Sequence, residues 1–110
     1  MTFIRLRIIR PIRFFFQRLF RGFDDSETWS LDITISKFVL PRLKRFRNKT
    51  IGFPGGLDSI TQWYKILDDM IYAFEYDINQ FEIEDETKVD YKRVNRGFKY
   101  FARYYSFLWW

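Results

Sequence analysis

The sequence predicts an all-α fold, a small domain of three to four helices with a basic, partly extended amino-terminal segment, and three observations carry the prediction. Apolar residues recur at spacings of three and four along residues 31–46, 60–74 and 94–108, the period of one face of an α-helix. Acidic and hydroxyl residues precede two of these stretches, at Asp24-Asp25-Ser26 and Asp58-Ser59, where helix caps stand. The single Gly/Pro cluster is IGFPGG at residues 51–56, so few turns interrupt the pattern. With 110 residues the chain is expected to form a single domain, residues 1–23 as a basic aromatic segment and 24–110 as the helical core.

TFIRLRIIR, residues 2–10, alternates apolar residues with Arg from Ile4 to Ile8, which suits a short extended segment. Pro11 fits the first turn of a helix, where its missing N–H costs nothing. On a helical wheel Arg10, Arg13, Gln17, Arg18 and Arg21 share one side, and Ile12, Phe15, Phe16, Leu19 and Phe20 the other. A basic amphipathic helix over 11–22, ended by Gly22, follows.

RGFDDSETWSLD then crowds Asp24, Asp25, Glu27 and Asp32 into nine positions. Asp24 to Glu27 spells a relative of the capping box, with Asp25 or Ser26 as alternative caps, and acids in a first turn favour the positive end of the helix dipole. Asp32 is too deep in the predicted helix to cap it. Trp29 and Leu31 are expected to start the core, continued by Ile35, Phe38, Val39, Leu43 and Phe46 on a helix near 25–47. Pro41 should kink that helix or split it near Leu40.

After the loop, a helix over 58–79 capped by Asp58 or Ser59 carries Ile60, Trp63, Ile66, Leu67, Met70, Ile71 and Phe74 as its apolar stripe. FEIEDETKVD, residues 81–90, lacks a sustained period and reads as a loop holding a short extended piece. The last helix spans about 90–108, with Val94, Phe98, Phe101, Tyr105 and Leu108 inward.

Composition narrows function more than any motif does. The chain has no Cys, and no His, which removes disulfides, zinc-thiolate sites, thiol nucleophiles and imidazole bases. Phe, Tyr and Trp make up 23% of it; a domain this small cannot hide them all, so some rings are expected to line an interface. The net charge of +5 is banded: residues 1–23 carry +6, 24–34 carry −4, 35–56 carry +6, 57–90 carry −8 and 91–110 carry +5. Arginines interrupt the apolar residues of the amino terminus, so neither a signal peptide nor a membrane span is expected.

The sharp readings compete with plainer ones. Asp25 and Asp32, joined by Asp68 or Glu75, would make a carboxylate metal site of an Mg-dependent enzyme, but acids at a helix start ordinarily cap it. No catalytic residue, cofactor or metal is therefore expected. Arg5, Arg7, Arg10, Arg13, Arg18, Arg21, Arg42, Lys44, Arg45 and Arg47, interleaved with aromatic residues, are the footprint of a partner or nucleic-acid surface; the plain alternative is that their heads meet the acidic band at 68–90. The 11–22 helix suits a membrane surface less well than a docking role. Trp109 and Trp110, at a chain end that ordinarily frays, are expected to anchor a partner or the amino-terminal segment.

Arg21-Gly22-Phe23, Asp25-Ser26, Trp29, Leu31-Asp32, Pro41-Arg42-Leu43, Phe46, Pro54, Trp63, Ile66-Leu67-Asp68, Met70, Phe74-Glu75, Gly97, Phe101, Tyr104-Tyr105 and Leu108-Trp109 together resemble a family of small, uncharacterised tailed-phage proteins. Its pattern is a basic aromatic amino-terminal segment, an RG[FWY]xDSxxWxLD helix, a Gly/Pro loop, a Trp-containing helix and a terminal LW. This chain departs from it in Phe14-Phe15-Phe16 and in ending Trp109-Trp110. The resemblance implies a bacteriophage origin, a helical fold and a place in the host cytoplasm or the virion; it carries over no activity. The expected function is binding, by docking on another protein, either a host or defence-system target or a virion component. Nucleic-acid binding as an accessory protein is the alternative, and a second copy of the chain is a further candidate partner.

Overall fold

The computed structural model describes the backbone of residues 2–109 and the side chains of residues 11–109. The fold is all-α, with no strand among the described residues: α1 Thr2–Arg21, α2 Ser26–Trp29, α3 Leu31–Lys49, α4 Ile60–Asn79 and α5 Tyr91–Tyr104, with 3₁₀ turns at Glu86–Lys88 and Tyr105–Phe107. The chain divides into two compact units, Met1–Thr34 and Ile35–Trp110.

In the first unit, α1 corrects the expected extended segment: helix runs through residues 2–10 and past Pro11. A lone strand leaves its backbone groups without partners, and no described strand offers any, whereas a helix closes its hydrogen bonds on itself. Gly22 ends α1 as predicted, in the left-handed region at φ 83°, its N–H donating to the Arg18 carbonyl at 3.0 Å. The capping box is also present. The Asp24 carboxylate accepts from the Glu27 N–H at 3.3 Å, and the Glu27 carboxylate accepts from the Asp24 N–H at 2.7 Å.

The split predicted near Leu40 lies instead at Ser30, whose φ −127° and ψ 71° break the helical run, while α3 continues through Pro41. The carbonyl that Pro41 cannot serve belongs to Lys37, an exposed residue, so solvent can replace the missing N–H. The break also accounts for Asp32, which falls in the first turn of α3 and there complements the positive end of the dipole. Trp29 and Leu31 do not start the core: both are more than half exposed, and Trp29 packs edge-on against Phe14 at 5.5 Å. The apolar side of α1, from Ile12 to Phe20, is exposed as well.

In the second unit α4 is the core element. Trp63, Leu67, Met70 and Ala73 are 1% exposed or less, and they recur at helical spacing as the sequence predicts. Ser59 is the cap: its hydroxyl accepts from the Gln62 N–H at 3.3 Å, and the Gln62 side chain accepts from the Asp58 N–H at 2.9 Å. From α3, Leu43 is buried against this core with Val39, Leu40 and Phe46 packed around it. Phe46 and Tyr104 each meet the Trp63 ring edge-on, at 6.4 and 5.6 Å.

Helix α5 approaches α4 most closely, because a glycine faces it: a Cβ on Gly97 would lie 2.1 Å from the Asp69 carbonyl oxygen. Asp90 caps α5 by accepting from the Arg93 N–H at 3.0 Å, and its own N–H donates to the Tyr72 hydroxyl at 3.0 Å. Val94 is buried and Phe101 and Leu108 are partly so, but Tyr105 is exposed and Phe98 over a third exposed. The α-helix ends at Tyr104, and the tighter 3₁₀ turn that follows carries the next side chain off the predicted stripe. Residues 81–90 hold a 3₁₀ turn rather than an extended piece.

Candidate functional site

Arg13, Arg18 and Arg21 of α1 are brought together on the acids of the junction. Asp24 is 2% exposed, takes Arg18 at 2.5 Å, and also accepts from the Ser26 hydroxyl. Asp25 accepts from Arg21 at 2.7 Å, Gln17 at 2.7 Å and Arg13 at 3.3 Å. The Ser26 hydroxyl first, then Arg18 and the Glu27 N–H, hold the Asp24 carboxyl below its ordinary range against the opposing effect of desolvation. Arg21 and Gln17 do the same for Asp25. Arg13, Arg18 and Arg21 thus have internal counterions, which lowers what they offer an external polyanion. The side chains of Arg5, Arg7 and Arg10, and Trp110, lie outside the described residues.

The cations of α3 split between two faces. Lys44 pairs with Glu75 at 3.0 Å, and Arg47 grips Asp68 through Nε at 3.0 Å and Nη2 at 3.4 Å while lying 4.5 Å from the Tyr64 ring centre. These two tie α3 to α4 and meet the acidic band, as the plain reading predicts. Arg42 lies 3.7 Å over the Phe38 ring, and Arg42, Arg45 and Lys49 have no carboxylate partner among the described residues. Their spacing of three and four residues places them on one exposed side of the helix.

An apolar cleft of about 270 Å³ lies between the loop after α3 and the carboxy-terminal turn, lined by Ile51, Phe53, Pro54, Trp63, Phe107 and Trp109 among others. Its base is fixed. Thr50 is buried, its N–H donates to the Phe46 carbonyl at 2.8 Å, its hydroxyl donates to the Gly52 carbonyl at 3.2 Å, and Tyr64 reaches its carbonyl at 3.4 Å. Its rim is open, with Ile51 91% and Trp109 75% exposed. Trp109 therefore stands at a built apolar surface.

A second exposed surface was missed by the sequence reading. Lys92, Arg96, Lys99 and Arg103 follow one another along α5 at steps of four, three and four, and with Asn95 and Tyr100 they line a shallow groove of about 480 Å³. The signal is that spacing, which lies on the same helix as the stronger apolar period of Val94, Phe98 and Phe101.

The carboxylates give no metal site. Asp25 is surrounded by Arg13, Gln17 and Arg21, Asp68 is held by Arg47 and Glu75 by Lys44, and no group of three acids is placed to hold a metal ion among the described residues. No described helix is long and apolar enough to cross a membrane. Compared with protein-family models, curated proteins and solved structures, the chain has no match in any of the three.

Proposed function

We propose that this chain acts by binding rather than catalysis, as a small phage protein that docks on another protein through the cleft at Phe53, Phe107 and Trp109. The observation that supports this reading is the combination of a hydrogen-bonded base with a rim of exposed rings. Aromatic rings are enriched at the centres of protein interfaces, and Trp is a favoured anchor. The cleft volume of about 270 Å³ falls below the ~300 Å³ at which small-molecule pockets begin, and so suits one or two apolar side chains of a protein. Lys49, exposed directly before the loop, and the chain's net charge of +5 favour an occupant whose apolar residues are flanked by acids. The phage origin rests on the family resemblance, with a host or defence-system target or a virion component as the partner.

The test is photo-crosslinking in cells from a reactive residue at Phe53, with adducts mapped by mass spectrometry. The reading expects one protein joined through an apolar segment with acidic neighbours, and loss of that adduct in Trp109→Ala with the far-ultraviolet circular dichroism unchanged. An adduct with a second copy alone, or one that survives Trp109→Ala undiminished, overturns it.

A further inference from the structure

The groove on α5 supports a site independent of the cleft. Lys92, Arg96, Lys99 and Arg103 span twelve residues of helix, about 16 Å at the 1.5 Å rise per residue, with neighbours about 4.5 to 6 Å apart along the axis. Among the described residues only Arg96 of the row meets a carboxylate: Asp69 accepts from its Nε at 2.8 Å, and from Arg93 Nε at 2.8 Å. Asp69 therefore neutralises the inner edge of the row, and Lys92, Lys99 and Arg103 keep three free charges among the described residues. The opposite side of α5 is committed to α4 through Gly97 and Phe101, which fixes the direction in which the row faces.

The character of this face selects its ligand. A protein interface needs a desolvated apolar or aromatic centre, and a membrane-surface helix needs large apolar side chains beside its cations. The rings beside the α5 row, Tyr100 and Tyr104, are partly buried against the core and packed on each other at 6.1 Å, with Arg103 lying 5.4 Å from the Tyr104 ring centre. Phosphodiester recognition, by contrast, rests chiefly on cations that neutralise phosphates. We propose that the exposed face of α5 is a nucleic-acid backbone site, with Lys92, Lys99 and Arg103 each contacting a phosphate and Arg96 held in line by Asp69.

Three phosphate contacts give a definite salt signature. For a duplex the slope of log K against log salt is about −0.9 per contact, so about −2.7 here, or about a 40-fold loss of affinity between 50 and 200 mM salt. The experiment is fluorescence anisotropy of the full chain with a labelled random 20-base-pair DNA duplex over that range. Lys99→Ala with Arg103→Ala is expected to flatten the slope to about −0.9, a loss of about 3- to 4-fold over the same range. Arg42→Ala with Arg45→Ala, which alters the exposed side of α3, is expected to leave the slope of wild type. Circular dichroism checks that each variant is folded, and Lys99→Gln with Arg103→Gln serves if the alanine pair is not. The proposal is overturned if the duplex does not bind, if the α5 variants keep the wild-type slope, or if polyglutamate or vesicles of anionic lipid bind as tightly as DNA, which would transfer the face to an acidic protein or a membrane.

Discussion

Replacing Gly97 by alanine would place a methyl carbon 2.1 Å from the Asp69 carbonyl oxygen and 2.8 Å from the Ala73 Cβ. Ordinary contacts of such a carbon begin near 3.4 Å, so α4 and α5 must separate by more than an ångström. The obstructing oxygen belongs to the backbone of a buried helix and has no rotamer through which to move away. Intrinsic helix propensity pulls the other way, since alanine in a helix interior is better than glycine by about 1 kcal/mol. Overpacking of a close-packed core costs about 1 to 3 kcal/mol or more. It should exceed the propensity gain, because separation also loosens Phe74, Phe98 and Phe101 at the same interface. The expected net effect is a destabilisation of about 1 to 2 kcal/mol, read as a lower midpoint of urea denaturation followed by tryptophan fluorescence. Gly52→Ala is the control, since nothing lies within 4 Å of its added carbon; it should be neutral or stabilising by up to about 1 kcal/mol. A Gly97→Ala variant as stable as the wild type or more so would refute the close approach of α4 and α5.

Two further outcomes follow from the caps and the junction. Ser59→Ala should cost about 1 kcal/mol in the same denaturation assay, with Ser59→Asp retaining most of the stability, since only the side-chain acceptor for the Gln62 N–H changes. Asp24, held low by Ser26 and Arg18, should titrate by carbon-detected NMR with a midpoint below its unfolded value of about 3.9; because the folded value is the lower one, its stabilisation is complete above about pH 4 to 5 and is lost as pH falls through the folded midpoint. A midpoint at or above 3.9 would remove the Ser26 and Arg18 contacts from the account.

Much of the helical framework was legible in the sequence because local chemistry determines it. The apolar stripe of α4, the caps at Ser59 and Asp24, and the stop at Gly22 each depend on residues within one or two turns of each other. The misreadings have physical causes too. The alternation at residues 4–8 is a strand signal only where another strand can pair with it, and none is described. Pro41 stays inside α3 because the carbonyl it deprives is on a solvated side. Of the arginines named from the sequence, Arg13, Arg18, Arg21 and Arg47 are engaged by carboxylates, while Arg42 and Arg45 have none among the described residues.

The sequence by itself determined that the chain is helical and where most helices cap, since periodicity and N-cap hydrogen bonds are short-range. Only the tertiary structure decided which charges and rings are left over. Asp68, Asp69 and Glu75 each select basic partners 20 or more positions away in the chain, and the cleft at Trp109 requires the loop after α3 to meet the carboxy-terminal turn. Such pairings depend on how helices pack, which residue spacing along one helix does not specify.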